Sequence, residues 1–168
     1  MQAQSAPEIG NILPSYLVIA NISKKQNIRT LITVAVAFGI DNILIVGQPN
    51  FEVNTHVAVS KLSYVEERIQ FHRVCDLKAC RQFLTDRNIR LYGVEIVDGA
   101  TNIEHADFSN KICAFMMGNE GSGMNKGQLD ICDEFVIIPQ YGSGTASLNV
   151  SNAAAIVLQY FDSSRSCH

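Results

Sequence analysis

Two segments of the chain carry the residue types from which a ligand site is built. The first is Gly118-Asn-Glu-Gly-Ser-Gly-Met124, three glycines around the carboxylate of Glu120. Glycine lets a backbone approach a ligand closely or turn through positive φ. The second is Pro139-Gln-Tyr-Gly-Ser-Gly-Thr-Ala-Ser-Leu-Asn149, long for a connection and rich in small polar residues. In it Ser147 is placed to cap the helix that follows, and Asn149 falls in that helix's first turn. Each pattern also occurs in plain turns, but two in one small chain favour binding. Neither is a phosphate-binding P-loop, because no Gly-Lys-Ser/Thr is present. Neither is a dinucleotide fingerprint, which would follow an early strand. A metal site is not expected: the four His are scattered, and the five Cys (Cys75, Cys80, Cys113, Cys132, Cys167) form no CxxC pair.

These loops need elements to hold them, and the apolar pattern supplies the elements. Tyr16–Ala20 and Asn42–Val46 are continuous apolar runs of the kind buried on both faces. Between them Ile28, Leu31, Ile32, Ala35 and Phe38 recur at helical spacing, with Gly39 closing the helix. The spacing predicts further strands over 68–72, 90–96, 111–117 and 134–138, and leaves 54–66 as helix or irregular. Helices are expected from an Asp76 cap to Asp86, over 126–132 and over 148–161. Alternating strands and helices with nearly all-apolar strands predict an α/β fold, a mainly parallel sheet flanked by helices. Ligands in such folds sit beyond the carboxyl ends of strands, which is where both glycine loops fall. The boundaries read as a lead-in over 1–14, a single domain over 15–162 and a short tail over 163–168.

Composition bounds the function class. The 168 residues are 47% hydrophobic and 17% charged, enough for a real core and too apolar for a disordered chain. A net charge of −3 argues against coating nucleic acid by bulk charge, leaving a local patch such as Lys24, Lys25 and Arg29, which also reads as a solvated helix start. No apolar stretch is long enough to span a bilayer, and the N-terminus lacks a secretory pattern. The expectation is a soluble intracellular protein, most simply cytoplasmic, with no membrane partner.

MGNEGSGM at 117–124 and IPQYGSGTASLNVSNAAAIVL at 138–158 resemble motifs 2 and 3 of the SpoU/TrmH-type tRNA/rRNA 2′-O-ribose methyltransferases, in the SPOUT superfamily. NIRTLITVAVAFG at 27–39 is similar to their motif 1. The resemblance implies a C-terminal trefoil knot forming a cleft for S-adenosylmethionine (SAM), a homodimer, and methyl transfer to a ribose 2′-hydroxyl of tRNA or rRNA. It implies a cofactor cleft at Ile96, Gly118, Ile138 and Leu148, with Asn27, Glu120, Ser147 and Asn149 ordering the site near the ribose. A separate RNA-binding domain is not expected within 168 residues, so substrate choice is expected to fall to the domain surface, the dimer or an accessory protein. The final helix, apolar at Leu148, Val150, Ala153, Ala154, Ile156, Val157 and Leu158, is expected to give part of the dimer interface.

One departure from the family pattern matters for chemistry. The motif 1 arginine, six residues after Asn27, is replaced by Thr33, and the glycine two after Asn27 by Arg29. Threonine cannot act as an anion clamp. Arg29 and Thr33 lie one turn apart on one helical face, about 5.4 Å along the axis, so Arg29 is within reach of the missing charge's position. The alternatives are an ordinary solvent-facing Arg29 and a catalytically weakened relative that binds SAM or RNA as a partner subunit.

Overall fold

The computed structural model describes residues 13–57, 59–119, 121–142 and 148–165. In chain order these form β1 (Ser15–Ala20), α1 (Lys25–Ala37), β2 (Asn42–Val46), α2 (Val53–His56), α3 (Val59–Arg68), β3 (Gln70–Val74), α4 (Leu77–Asp86) and β4 (Ile89–Val94). There follow β5 (Thr101–Asn102), a 3-10 turn over Ile103–His105, β6 (Ile112–Met117), α5 (Lys126–Ile131), β7 (Glu134–Ile137) and α6 (Val150–Arg165). The strands make one sheet in the order β3-β2-β1-β6-β4-β7-β5, with every pairing parallel. The sheet and its flanking helices match the expected α/β class. Among the described residues no helix is long and apolar enough to cross a membrane.

The continuous apolar runs have a direct physical cause, since both faces of the sheet are covered. Side chains alternate across a strand. Leu17 and Ile19 of β1 therefore join one cluster with Ile28, Leu31 and Ile32 of α1 and Ala154, Val157 and Leu158 of α6. Val18 and Ala20 join the other, with Cys80 and Leu84 of α4 and Met124. Burying one such Leu or Ile contributes about 1.5–3 kcal/mol. Phe161 of α6 docks edge-on against Phe108 and Phe115, with ring centroids 5.7 and 4.9 Å away, and Tyr92 stacks on Phe115 at 5.7 Å. These rings seat α6 on the sheet and so fix the start of α6 beside the ends of the central strands. The face of α6 carrying Val150, Ala154, Val157, Leu158 and Phe161 is thus used by its own core, leaving Ile156 and Tyr160 half-buried.

Several boundaries differ from the sequence expectation. Strand β3 begins at Gln70, not residue 68, because Ile69 N–H still donates to Val65 O at 2.9 Å and Arg68 closes α3. Strand β4 ends at Val94, so Glu95 and Ile96 lie beyond it, and Ile96 is 73% exposed. The segment left open over 54–66 is helical in two pieces, and the final helix runs on to Arg165. Strand β5 is two residues long, with no periodicity to signal it. The Asp76 cap forms as expected, its Oδ1 accepting from Ala79 N–H at 2.8 Å.

A buried amide joins the two sides of the site. Gln128, in α5, is fully buried. Its Nε2 donates to Ala20 O at 3.3 Å, and its Oε1 accepts from Asn125 N–H at 3.1 Å, completing a capping box with the Asn125 side chain. It thereby ties the end of β1 to the chain just after the first glycine loop. Gln128→Leu keeps the volume and strands these backbone groups, so it should lower stability by about 1–3 kcal/mol. Urea unfolding should show a lower midpoint at unchanged slope; an unchanged midpoint would contradict the role. Burial also pushes the Cys80 and Cys132 thiols up from 9.0 to about 12, whereas Cys75 is exposed. At pH 8 the buried Cys80 and half-buried Cys132 thiols stay protonated and unreactive. Iodoacetamide mapped by peptide mass spectrometry should label Cys75 quickly and Cys80, Cys113 and Cys132 only on unfolding.

Candidate active site

The carboxyl ends of β4, β6 and β7 converge on a cavity of about 320 Å³, within the range of small-molecule sites. Val94, Val136, Leu148 and Val150 give it apolar walls, and Gly118 and Gly123 offer bare backbone. All four residues expected to form the cofactor cleft line it: Ile96, Gly118, Ile138 and Leu148. Ile96 reaches it as the first loop of the expected site beyond β4, with its side chain mostly in solvent. Its N–H donates to Glu95 Oε1 at 3.0 Å.

The first glycine loop is a tight reversal. Asn119 and Gly123 exchange two backbone hydrogen bonds of 3.1 and 2.9 Å, and Gly121 and Gly123 hold φ of +90° and +65°. Those angles explain two glycines of the motif. Glu95 explains a third. Its Oε2 accepts from Met124 N–H at 2.7 Å, latching the loop's far end to the end of β4. A Cβ on Gly118 would overlap that same oxygen, and one on Gly123 would lie 2.7 Å from it. A side chain at 118 would therefore displace the Glu95 carboxylate from its latch and crowd the Gly123 backbone, independently of any ligand. In the sequence Glu95 has no signal of its own, inside the expected strand 90–96; its partner at Met124 is 29 positions away, and only the fold brings them together.

The remaining expected residues divide. Asn27 lines a small recess of about 30 Å³ with Lys24, Asn119 and Val150, adjoining the cavity through Asn119 and Val150, which line both. Asn119 Nδ2 also donates to Asn21 O at 2.7 Å, joining the β1 loop to the glycine loop. Asn149 directly precedes α6 and its Oδ1 accepts from Ser151 N–H at 2.9 Å, so Asn149 sits at the capping position rather than in the first turn. Glu120 and Ser147 lie outside the described residues. Arg29 is exposed, and its Nε donates to His56 O at 3.1 Å. It is two residues from Asn27 on the same helix, about 200° around the axis, and does not line the cavity. His56 is itself fixed, stacked on Phe51 with ring centroids 4.8 Å apart. Thr33 is exposed and its hydroxyl donates to Arg29 O at 3.0 Å, so the two do share one face one turn apart.

A model of the SpoU rRNA methylase family matches residues 14–159, nearly the whole described domain. The chain belongs to that family. The SpoU domain is 34% identical over 147 residues to an "Uncharacterized tRNA/rRNA methyltransferase" of Mycolicibacterium paratuberculosis, covering 87% of this chain and 46% of that protein. It is 31% identical over 151 residues to the 23S rRNA (guanosine-2′-O-)-methyltransferase RlmB of Blochmanniella floridana, covering 88% of this chain and 57% of that one. The chain thus spans about half the length of these relatives. Among solved structures, the SpoU methyltransferase AviRb of Streptomyces viridochromogenes in complex with AdoMet superposes with a TM-score of 0.77 at 24% identity, over 93% of this chain and 59% of that one. The A. aeolicus TrmH/SpoU tRNA modifying enzyme gives 0.73 at 18%, over 94% and 77%. Both likenesses concern the fold.

A double-mutant cycle tests the coupling between Gly118 and Glu95. Gly118→Ala should destabilise the SpoU domain, and Glu95→Ala should relieve part of that cost, with a coupling of about 0.5–3 kcal/mol. Chemical denaturation of the four proteins measures it. Additive effects would mean that Gly118 is required for another reason.

Proposed function

We propose that the cavity binds S-adenosylmethionine and that the domain transfers its methyl group to a ribose 2′-hydroxyl of tRNA or rRNA. The observation that carries the reading is convergence. Gly118, Ile138 and Leu148, which belong to the two family-like motifs and lie 30 residues apart in the chain, border one cavity at the carboxyl ends of parallel strands. The cavity fits such a cofactor: apolar walls suit an adenine and a thioether-like chain, and the backbone of Gly118, Ile138 and Leu148 along its lining suits polar edges. The cofactor supplies an activated methyl on a sulfonium. The protein must hold the acceptor hydroxyl in line and stabilise the charge that develops on its oxygen.

Under this reading Asn27, Glu120, Ser147 and Asn149 order the acceptor side, and the recess holding Asn27 and Lys24 opens toward RNA. Arg29 contacts the RNA phosphate in place of the residue lost at Thr33. Its anchorage through Nε supports this, because the terminal guanidinium nitrogens are the ones that pair with phosphate oxygens. Lys24 and Lys25 extend the basic surface at the start of α1, where both are exposed. A homodimer, a knotted C-terminal segment and an accessory protein that selects the RNA complete the proposal.

The test uses tritiated methyl-SAM and total RNA, followed by digestion to nucleosides. The expected product is a 2′-O-methyl nucleoside; label on a base would refute the acceptor assignment. Arg29→Ala should slow single-turnover transfer by about 10²-fold while SAM affinity stays the same. Thr33→Arg should restore part of the lost rate, because both positions project from one face of α1. A wild-type rate in Arg29→Ala would remove Arg29 from the mechanism.

A further inference from the structure

The cavity contains a charge that neither the motifs nor the fold explains. Among its described lining residues, Glu95 alone is ionisable. Glu95 is half-buried, and its carboxylate is held rather than free. Oε2 accepts from Met124 N–H at 2.7 Å and Oε1 from Ile96 N–H at 3.0 Å. The bare Cα positions of Gly118 and Gly123 close around Oε2. Two backbone donors use two of the roughly four lone-pair sites of a carboxylate. The group is therefore fixed in orientation and still able to accept more.

A latch alone would not need a charge. An amide or hydroxyl could accept from Met124 N–H without placing a charge in a cavity that Val94 and Val136 also line. A fixed anion among apolar walls does something a neutral acceptor cannot: it prefers a cation. Resting on the SAM reading above, we propose that Glu95 is a binding residue that makes the cavity select the cationic cofactor over its neutral demethylated product. At neutral pH SAM carries a sulfonium, an ammonium and a carboxylate, net +1. Transfer forms a C–O bond to the ribose oxygen and breaks the S–CH3 bond. The sulfur keeps the bonding electron pair and becomes a neutral thioether, and the hydroxyl proton leaves to solvent. S-adenosylhomocysteine (SAH) is thus net zero. The attraction to the sulfonium is lost on transfer while the ammonium is common to both ligands, so the same residue that favours loading favours release. Fixing the carboxylate by backbone bonds means that little reorganisation is needed when the charge disappears.

The experiment is calorimetric titration of the full chain with SAM and with SAH, at low and high salt, in wild type, Glu95→Gln and Glu95→Asp. Wild type should bind SAM more tightly than SAH, with the gap narrowing as salt rises. Glu95→Gln should weaken SAM about tenfold while SAH changes by less than about twofold, the scale of one partly screened charge pair. Glu95→Asp breaks the latch by one methylene and keeps the charge, so it should weaken both ligands and preserve the preference for SAM. Equal losses of SAM and SAH in Glu95→Gln would reduce Glu95 to a loop latch and overturn the proposal. So would a wild-type protein that binds the two equally, an outcome that needs no variant to fold. If wild type binds neither ligand, the cofactor reading falls and this one with it. Binding of both without discrimination leaves the cofactor reading intact and removes only the role of Glu95.

Discussion

Because every strand of the sheet runs parallel and both of its faces are covered by helices, the turns after the strands all gather along one edge. Parallel pairing forces each strand to return through a crossover, so all carboxyl ends point the same way. Covering both faces uses the helices as lids, and α1 and α6 on one side and α4 on the other fill that role. Binding groups are then supplied by the turns after β4, β6 and β7. The placement of β4 between β6 and β7, its neighbours in the sheet but not in sequence, gathers those turns into one wall. The cavity is a consequence of strand order, and the chemistry of its lining is a consequence of which turns that order collects.

Within that wall polar contacts set the shape. Gln128 fastens the end of β1 to α5, Asn119 fastens the β1 loop to the glycine loop, and Glu95 fastens the glycine loop to β4. Three side chains from three elements thus define a frame around backbone that has little secondary structure of its own. Small residues at 118, 121 and 123 follow from that frame: two from positive φ and one from lack of space beside a carboxylate.

Much of this was legible from sequence, for physical reasons that also show where legibility ends. Strands buried on both faces announce themselves by unbroken apolar runs, so β1, β2 and β6 fall within a residue of their expected positions. Edge strands have weaker patterns. β3 keeps its alternation but starts two residues later, because a helix end and a strand start look alike across Arg68 and Ile69. The family-like motifs pointed to the segments that border the cavity, and Gly118, Ile138 and Leu148 meet there. Glu95 was not legible, since a single glutamate at a strand end has no pattern until the loop it holds is in place. The cap of α6 falls at Asn149, two residues beyond Ser147: both are capping residues by type, and sequence does not decide which one the backbone uses.

The sheet order also has a consequence for how the chain is made. Strand β1 is flanked by β2 and β6, so one of its edges waits for a strand that begins 92 residues after β1 ends. At ribosomal speeds of about 5–20 residues per second that delay is roughly 5–20 s. Throughout it, β1 lacks the partner for one of its two edges, and an unpaired row of N–H and C=O groups is a surface on which nascent chains stick to one another. Closing the centre of the sheet is therefore a long-range event, in which β1 gains its second partner only after most of the chain has been made.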